Sequence, residues 1–151
     1  MIKILCPTRG GKESQPNQDF AINLAKERGA DLLFMYVSDI QLIGRSAPPI
    51  VVDIEEELDE LGDFLLSMAQ ERAEKSGILA KAIVLHGVFA EVLREVIVEN
   101  KIDTVILGSS PKEPGVVSYE RLQELSTELG RELGVEFYVV QNGKMVFHTE
   151  N

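Results

Sequence analysis

The residues best suited to chemistry lie in two short loops rich in glycine, hydroxyl and cationic side chains. The first reads Pro7-Thr8-Arg9-Gly10-Gly11-Lys12-Glu13-Ser14. Gly10 and Gly11 let backbone amides approach a ligand closely, while Arg9, Lys12 and a following helix N-terminus favour an anion such as phosphate. The second reads Gly108-Ser109-Ser110-Pro111-Lys112-Glu113-Pro114-Gly115. Gly108, the Ser109 and Ser110 hydroxyls and the Lys112 ammonium would assist the same anion if the two loops meet. Thr8 and Val37, at the ends of neighbouring strands, complete the candidate nucleotide- or anion-binding set. Each loop also has a plainer reading. The first has the composition of an exposed strand-to-helix turn whose glycines relieve sterics; in the second, two prolines stiffen the chain and Ser109 could satisfy strand-end backbone groups.

Other chemistry finds no support. His86 and His148 have no partner at metal-ligand spacing, so no metal site is expected. No Gly-x-Ser-x-Gly elbow occurs, which removes one route to serine hydrolysis. Cys6 sits within an apolar run and reads as a small buried hydrophobe. The acidic run Asp53–Glu57 reads as a helix start favoured by the macrodipole. No catalytic residue is expected.

Alternating apolar patterns position these loops. Strand-like runs fall at Ile2–Cys6, Leu32–Val37, Ala80–Leu85, Thr104–Leu107 and Val135–Val140. Several are apolar throughout, as strands covered on both faces are. Amphipathic helical stretches separate them. The first, Ser14 to Arg28, aligns Phe20, Ala21, Leu24 and Ala25, with Ser14 or Asn17 as cap and Gly29 beyond its end. The second, Asp53 to Lys75, aligns Ile54, Leu58, Leu61, Leu65, Met68 and Ala69. The third, Phe89 to Asn100, aligns Phe89, Val92, Leu93, Val96 and Ile97. The fourth, Ser118 to Leu133, aligns Leu122, Leu125, Leu129 and Leu133. Residues Ile40 to Val52 read as irregular.

The order β-α-β-α-β-α-β-α-β predicts right-handed crossovers and a doubly wound parallel α/β sheet with helices on both faces. Asn142-Gly143 between two strand-like runs adds a hairpin, with an antiparallel strand at about residues 144–149 beside the fifth. In such sheets ligands bind beyond the carboxyl ends of the strands, where both loops lie.

Composition sets the remaining bounds. Length and a 44% apolar, 26% charged balance predict one globular domain over residues 1–151. A net charge of −10 with no basic run disfavours nucleic acid and anionic membranes as partners. No leader-like segment or membrane-length apolar run is visible, and a single cysteine suits a reducing compartment, so a cytoplasmic location is expected.

One ordered set of segments resembles a known family. It comprises Ile4-Leu5-Cys6-Pro7-Thr8, Ala21-Ile22-Asn23-Leu24-Ala25, Gly29-Ala30-Asp31-Leu32 and Tyr36-Val37-Ser38-Asp39. Farther along come Gly87, Glu91-Val92-Leu93, Glu95-Val96-Ile97 and Ile102-Asp103-Thr104-Val105-Ile106-Leu107-Gly108-Ser109. Together, to about Val140, these resemble the universal stress proteins. The resemblance implies strand order 3-2-1-4-5 with a switch point between strands one and four, and homodimers often joined through strand five. It further implies that many members bind ATP, using an aspartate shortly after strand one and a Gly-x2-Gly-x9-Gly-Ser/Thr motif after strand four. Here Arg9 and Gly10 stand where the aspartate belongs, and Pro111 stands at the second glycine. The loop Arg9–Ser14 is also similar to the Ser-Gly-Gly-x-Asp-Ser pyrophosphate loop of ATP pyrophosphatases, with two replacements.

The expectation is a non-catalytic, homodimeric stress-response binding or interaction module with no cofactor, not taking ATP in the family's usual manner. The alternative is a nucleotide- or phosphate-binding protein, an ATP-dependent switch or pyrophosphatase-like enzyme, built on Arg9–Ser14. A third reading is a structural partner of another protein, using Ile40–Val52 or the C-terminal hairpin.

Overall fold

A computed structural model describes residues 2–10, 12–38, 48–109 and 118–149, without the side chains of 48–56 and 58. Six strands form one sheet in the order β3-β2-β1-β4-β5-β6. They are β1 Lys3–Pro7, β2 Asp31–Ser38, β3 Ala80–His86, β4 Thr104–Gly108, β5 Glu136–Gln141 and β6 Lys144–Thr149. The first five run parallel, and β6 returns antiparallel to β5 with a register irregularity between Val139 and Val140. Four helices connect them: α1 Gln15–Arg28, α2 Pro48–Lys75, α3 Phe89–Asn100 and α4 Tyr119–Leu133. The expected doubly wound architecture and its C-terminal hairpin are both present. Asn142 and Gly143 take φ of 53° and 78°, the left-handed pair a tight hairpin turn requires.

Alternation along the strands sorts their side chains into two cores. Ile4, Cys6, Phe34, Ile106 and Val140 meet α1 and α2, whereas Leu5, Met35, Val105, Leu107, Phe137 and Val139 meet α3 and α4. Each fully buried aliphatic or aromatic side chain contributes about 1.5–3 kcal/mol relative to exposure. Alanines at 21, 25, 69 and 73 let α1 and α2 lie close to the sheet.

Three sequence expectations need correction. Helix α2 begins at Pro48, not Asp53, so residues 48–52 of the stretch read as irregular are helical. Prolines fit a first helical turn because the amide hydrogens they lack have no partner there. The run Asp53–Glu57 consequently lies beyond the first turn, where the macrodipole has largely faded. The buried face of α2 is also rotated from the expected stripe. Gly62, Leu66, Ala69 and Ala73 face inward, and Leu61 and Met68 are exposed. Finally, neither Ser14 nor Asn17 caps α1 through its side chain; the Asn17 side-chain Oδ1 instead accepts from the Gly143 amide at 3.0 Å.

Candidate functional site

Strand β1 lies between β2 and β4, so the carboxyl ends of β1 and β4 flank the point where strand order reverses. The register Leu5↔Val105, extended along the strands, sets Thr8 level with Gly108. At this pole α1 presents Asn17 and Gln18. The Thr8 amide donates to the Met35 carbonyl at 2.8 Å. Its hydroxyl oxygen accepts from the Gly10 amide at 3.2 Å and from the Gln18 side-chain amide at 2.9 Å. Gln18 is buried, and it occupies the same helical face as Ala21, Ile22 and Ala25.

Both glycines at this pole are tightly packed. Gly10 has φ +72°, and a Cβ there would stand 2.5 Å from the Leu65 Cβ of α2. A Cβ on Gly108 would stand 2.8 Å from the Asn17 side-chain nitrogen. The Ser109 amide donates to the Val140 carbonyl at 2.8 Å, and Ser109 is buried. Thus the amides of Thr8, Gly10 and Ser109 already have intramolecular acceptors. Arg9 and Lys12 are exposed, Lys12 in a short 3-10 turn ahead of α1. Val37 is partly buried against the α3/α4 core, on β2. Gly11, Ser110 and Lys112 lie outside the described residues, as does Pro111.

Sequence reading missed Asn17, Gln18 and Leu65 as the groups that fill this crevice. Gln18 had a signal: spacing 18, 21, 22, 25 puts an amide on an otherwise apolar stripe. Leu65 had none, because it reaches Gly10 only through the tertiary fold.

A second polar group gathers at the same pole. His86 is paired in register with Ser38 and brings its Nε2 to 2.8 Å from Asp59 Oδ1 of α2. That contact is close but not aligned as a hydrogen bond, and Asp59 Oδ1 and the Ser38 hydroxyl are buried without a hydrogen-bond partner among the described residues. No group of three or more acidic, histidine or cysteine side chains able to hold a metal occurs among those residues.

The opposite pole carries a denser network. Arg28 Nη1 donates to Glu136 Oε1 at 2.6 Å and Nη2 to the Tyr138 hydroxyl at 2.9 Å. The Thr104 hydroxyl joins Glu136 Oε1 at 3.1 Å, and His148 Nε2 lies 2.9 Å from Oε2. The His148 ring stacks on Tyr138 at 4.1 Å between centroids, and Phe20 approaches the same tyrosine at 5.6 Å. Burial by itself would raise the Glu136 carboxyl, but hydrogen bonds from Arg28 and His148 outweigh it and hold the group below the usual carboxylate range. Burial pushes the Tyr138 phenol up, and the Cys6 thiol up to about 12.

Residues 1–115 match the model of the universal stress protein family. The chain belongs to this family. A curated universal stress protein of Methanocaldococcus jannaschii is 32% identical over 111 residues, covering 73% of this chain and 65% of that protein. The chain therefore matches slightly under two thirds of that relative's length. The universal stress protein UspA of Lactobacillus plantarum superposes with a TM-score of 0.73 at 17% identity, covering 92% of this chain and 97% of that one. A universal stress protein in complex with cAMP gives 0.60 at 18%, covering 93% and 97%. One from Archaeoglobus fulgidus in complex with dAMP gives 0.55 at 14%, covering 93% and 97%. At these identities the structural likeness is one of fold. No helix among the described residues is long and apolar enough to cross a membrane.

Proposed function

We propose that this universal stress protein is a non-catalytic module whose regulatory ligand is an adenine nucleotide monophosphate in place of a glycine-cradled triphosphate. The observation that carries this reading is the engagement of the pole itself. Gly10 lies under Leu65, Gly108 lies against Asn17, and the amides of Gly10 and Ser109 are hydrogen-bonded within the chain. A triphosphate needs several unoccupied amides along a glycine-rich backbone. A single phosphate needs fewer contacts, and the exposed cations Arg9 and Lys12 stand beside the pole. The family's structures with cAMP and dAMP support a ligand of this size. Support for a non-catalytic role comes from a sequence with no Gly-x-Ser-x-Gly elbow and from the burial of Ser38, Ser109 and Cys6.

The test is thermal denaturation of nucleotide-stripped protein with AMP, cAMP or ATP at equal millimolar concentration. A ligand present at 100 times its Kd stabilises by about 2.7 kcal/mol. For a chain of this size that raises Tm by roughly 5–10 °C. The expected result is a shift with a monophosphate and no larger shift with ATP. A clearly larger ATP shift would instead favour the pyrophosphatase-like or switch reading on Arg9–Ser14. No shift with any nucleotide would overturn nucleotide binding and leave a protein-interaction module.

A further inference from the structure

The two edges of the sheet differ. At one end β6 is defended: a register irregularity sits opposite it, Lys144 begins it, and the Tyr119 hydroxyl donates to the Val146 carbonyl at 3.2 Å. Bulges, lysines and side-chain cover are the usual means of keeping an edge from templating another strand. At the other end β3, Ala80-Lys81-Ala82-Ile83-Val84-Leu85-His86, has one lysine and a side-chain bond to its Ala80 carbonyl, but neither proline nor a register irregularity. Each of its seven residues is exposed or half-exposed, and the preceding Leu79 is 86% exposed. Among the described residues, nothing pairs with its outer side. An edge strand keeps a row of backbone donors and acceptors there.

Helix α2 runs beside this edge and supplies it with negative charge. Two contacts fix which face of α2 is involved: Asp59 reaches His86 at one end of β3, and Gln70 donates to the Ala80 carbonyl at 2.9 Å near the other. Asp63 and Glu74 each lie four residues beyond one of these anchors and so fall on the same face. Both are exposed, and neither forms an ion pair among the described residues. From Asp59 to Glu74 the helix rises about 22 Å, and a seven-residue strand spans about 20 Å. Asp59 and Asp63 therefore lie toward the His86 end of β3 and Glu74 toward the Ala80 end, with the neutral Ser67 and Gln70 between them. Ile83 and Leu85, on the opposite face of the strand, pack half-buried on the α3/α4 core.

We propose that the outer edge of β3 is a docking site for an extended basic segment of a partner protein, added as a seventh strand. Main-chain hydrogen bonds to β3 give the affinity, as in other strand additions. Side chains of the added strand alternate between faces. Lysine or arginine on one face of the added strand meets Asp59 and Asp63 near one end and Glu74 near the other, and the residues between them lie beside Ile83 and Leu85. Four helical residues rise about 6 Å and two strand residues about 6.7 Å, so basic residues two apart match Asp59 and Asp63. A second copy of this chain fits the edge poorly, because a two-fold pairing would bring two sets of α2 carboxylates together.

The experiment uses the full chain and the peptide acetyl-Lys-Val-Lys-Thr-Lys-Val-Lys-amide, with a glutamate-for-lysine peptide as control. Titration calorimetry reads affinity, and amide hydrogen exchange reads location. The expected result is saturable binding that weakens as salt rises, slowed exchange within residues 80–86, and no binding of the acidic peptide. Asp63→Asn and Glu74→Gln should each weaken binding roughly two- to fivefold, the range for exposed ion pairs. Absence of binding, binding that leaves exchange in β3 unchanged, or equal binding of the acidic peptide would each overturn the proposal. So would protection of β3 that grows with protein concentration alone, which would assign the edge to a second copy. Nucleotide does not enter the measurement, so its outcome is independent of the ligand proposed above.

Discussion

Gly10→Ala tests the packing of the ligand pole most directly. The backbone at Gly10 holds φ +72°, where an L-residue with a Cβ costs about 1–2 kcal/mol. The new methyl would also lie 2.5 Å from Leu65 Cβ, well inside van der Waals contact. Overpacking of this kind costs typically about 1–3 kcal/mol, because backbone or helix must shift. The sum is a destabilisation of about 2–5 kcal/mol, read as a fall in the urea midpoint at unchanged m-value. Leu65→Ala removes the obstructing branch atoms but leaves a Cβ, so it relieves the clash only in part. The double variant should then be more stable than the sum of the two single losses predicts, by about 1 kcal/mol or more. A loss below about 1 kcal/mol for Gly10→Ala, or strict additivity with Leu65→Ala, would refute the claim that α2 closes on this glycine.

Two further outcomes concern ionisable groups. The Glu136 carboxyl is held below its unfolded value, so its contribution is present above pH about 4.3 and is lost as pH falls through the folded value. Glu136→Gln should therefore cost about 1–3 kcal/mol at pH 7, a range set by hydrogen bonds to charged groups. The gap from the parent protein should shrink below pH about 4; a gap independent of pH in denaturant titrations would contradict the network. Cys6 is buried with its thiol pushed up to about 12, so at pH 8 an aromatic disulfide reagent should label it only after denaturant is added. Prompt labelling of the folded protein would mean that β1 opens.

Much of the scaffold was legible in the chain because strands covered on both faces and amphipathic helices leave different periods. Asn142-Gly143 announced its hairpin, and Gly29 announced a helix end with φ of 61°. The phase of α2 was not legible for a specific reason. Large side chains at Leu58, Leu61, Leu65 and Met68 dominate a hydrophobic pattern, yet the sheet contacts Gly62, Leu66, Ala69 and Ala73. Small residues set the approach distance, and Tyr36 occupies the space that a side chain at Gly62 would need. The candidate site shows the same limit. Gly10 and Gly108 stood out as ligand-facing glycines, whereas the atoms that fill their missing side chains come from residues 55 and 91 positions away, by subtraction from Leu65 and Asn17. Spacing along the chain carries no record of such a contact.

Helix α1 and the β5–β6 hairpin are fastened at both ends, through Asn17 to Gly143 and through Arg28 to Glu136 and Tyr138. These bonds join residues 126 and 108 positions apart, whereas β1 meets β2 across 28 positions, from Lys3 to Asp31. Closing a loop of 108 residues in place of 28 costs about 1 kcal/mol more in chain entropy. A chain whose nearer neighbours meet first would make this fastening, like the pairing of β1 with β4 across 100 positions, from Ile4 to Thr104, a late step. Interactions absent from the folding transition state act on how slowly a protein comes apart, not on how quickly it forms. In this fold, the clasp between the first helix and the last hairpin would then set lifetime, and Arg28→Ala should speed unfolding more than it slows folding.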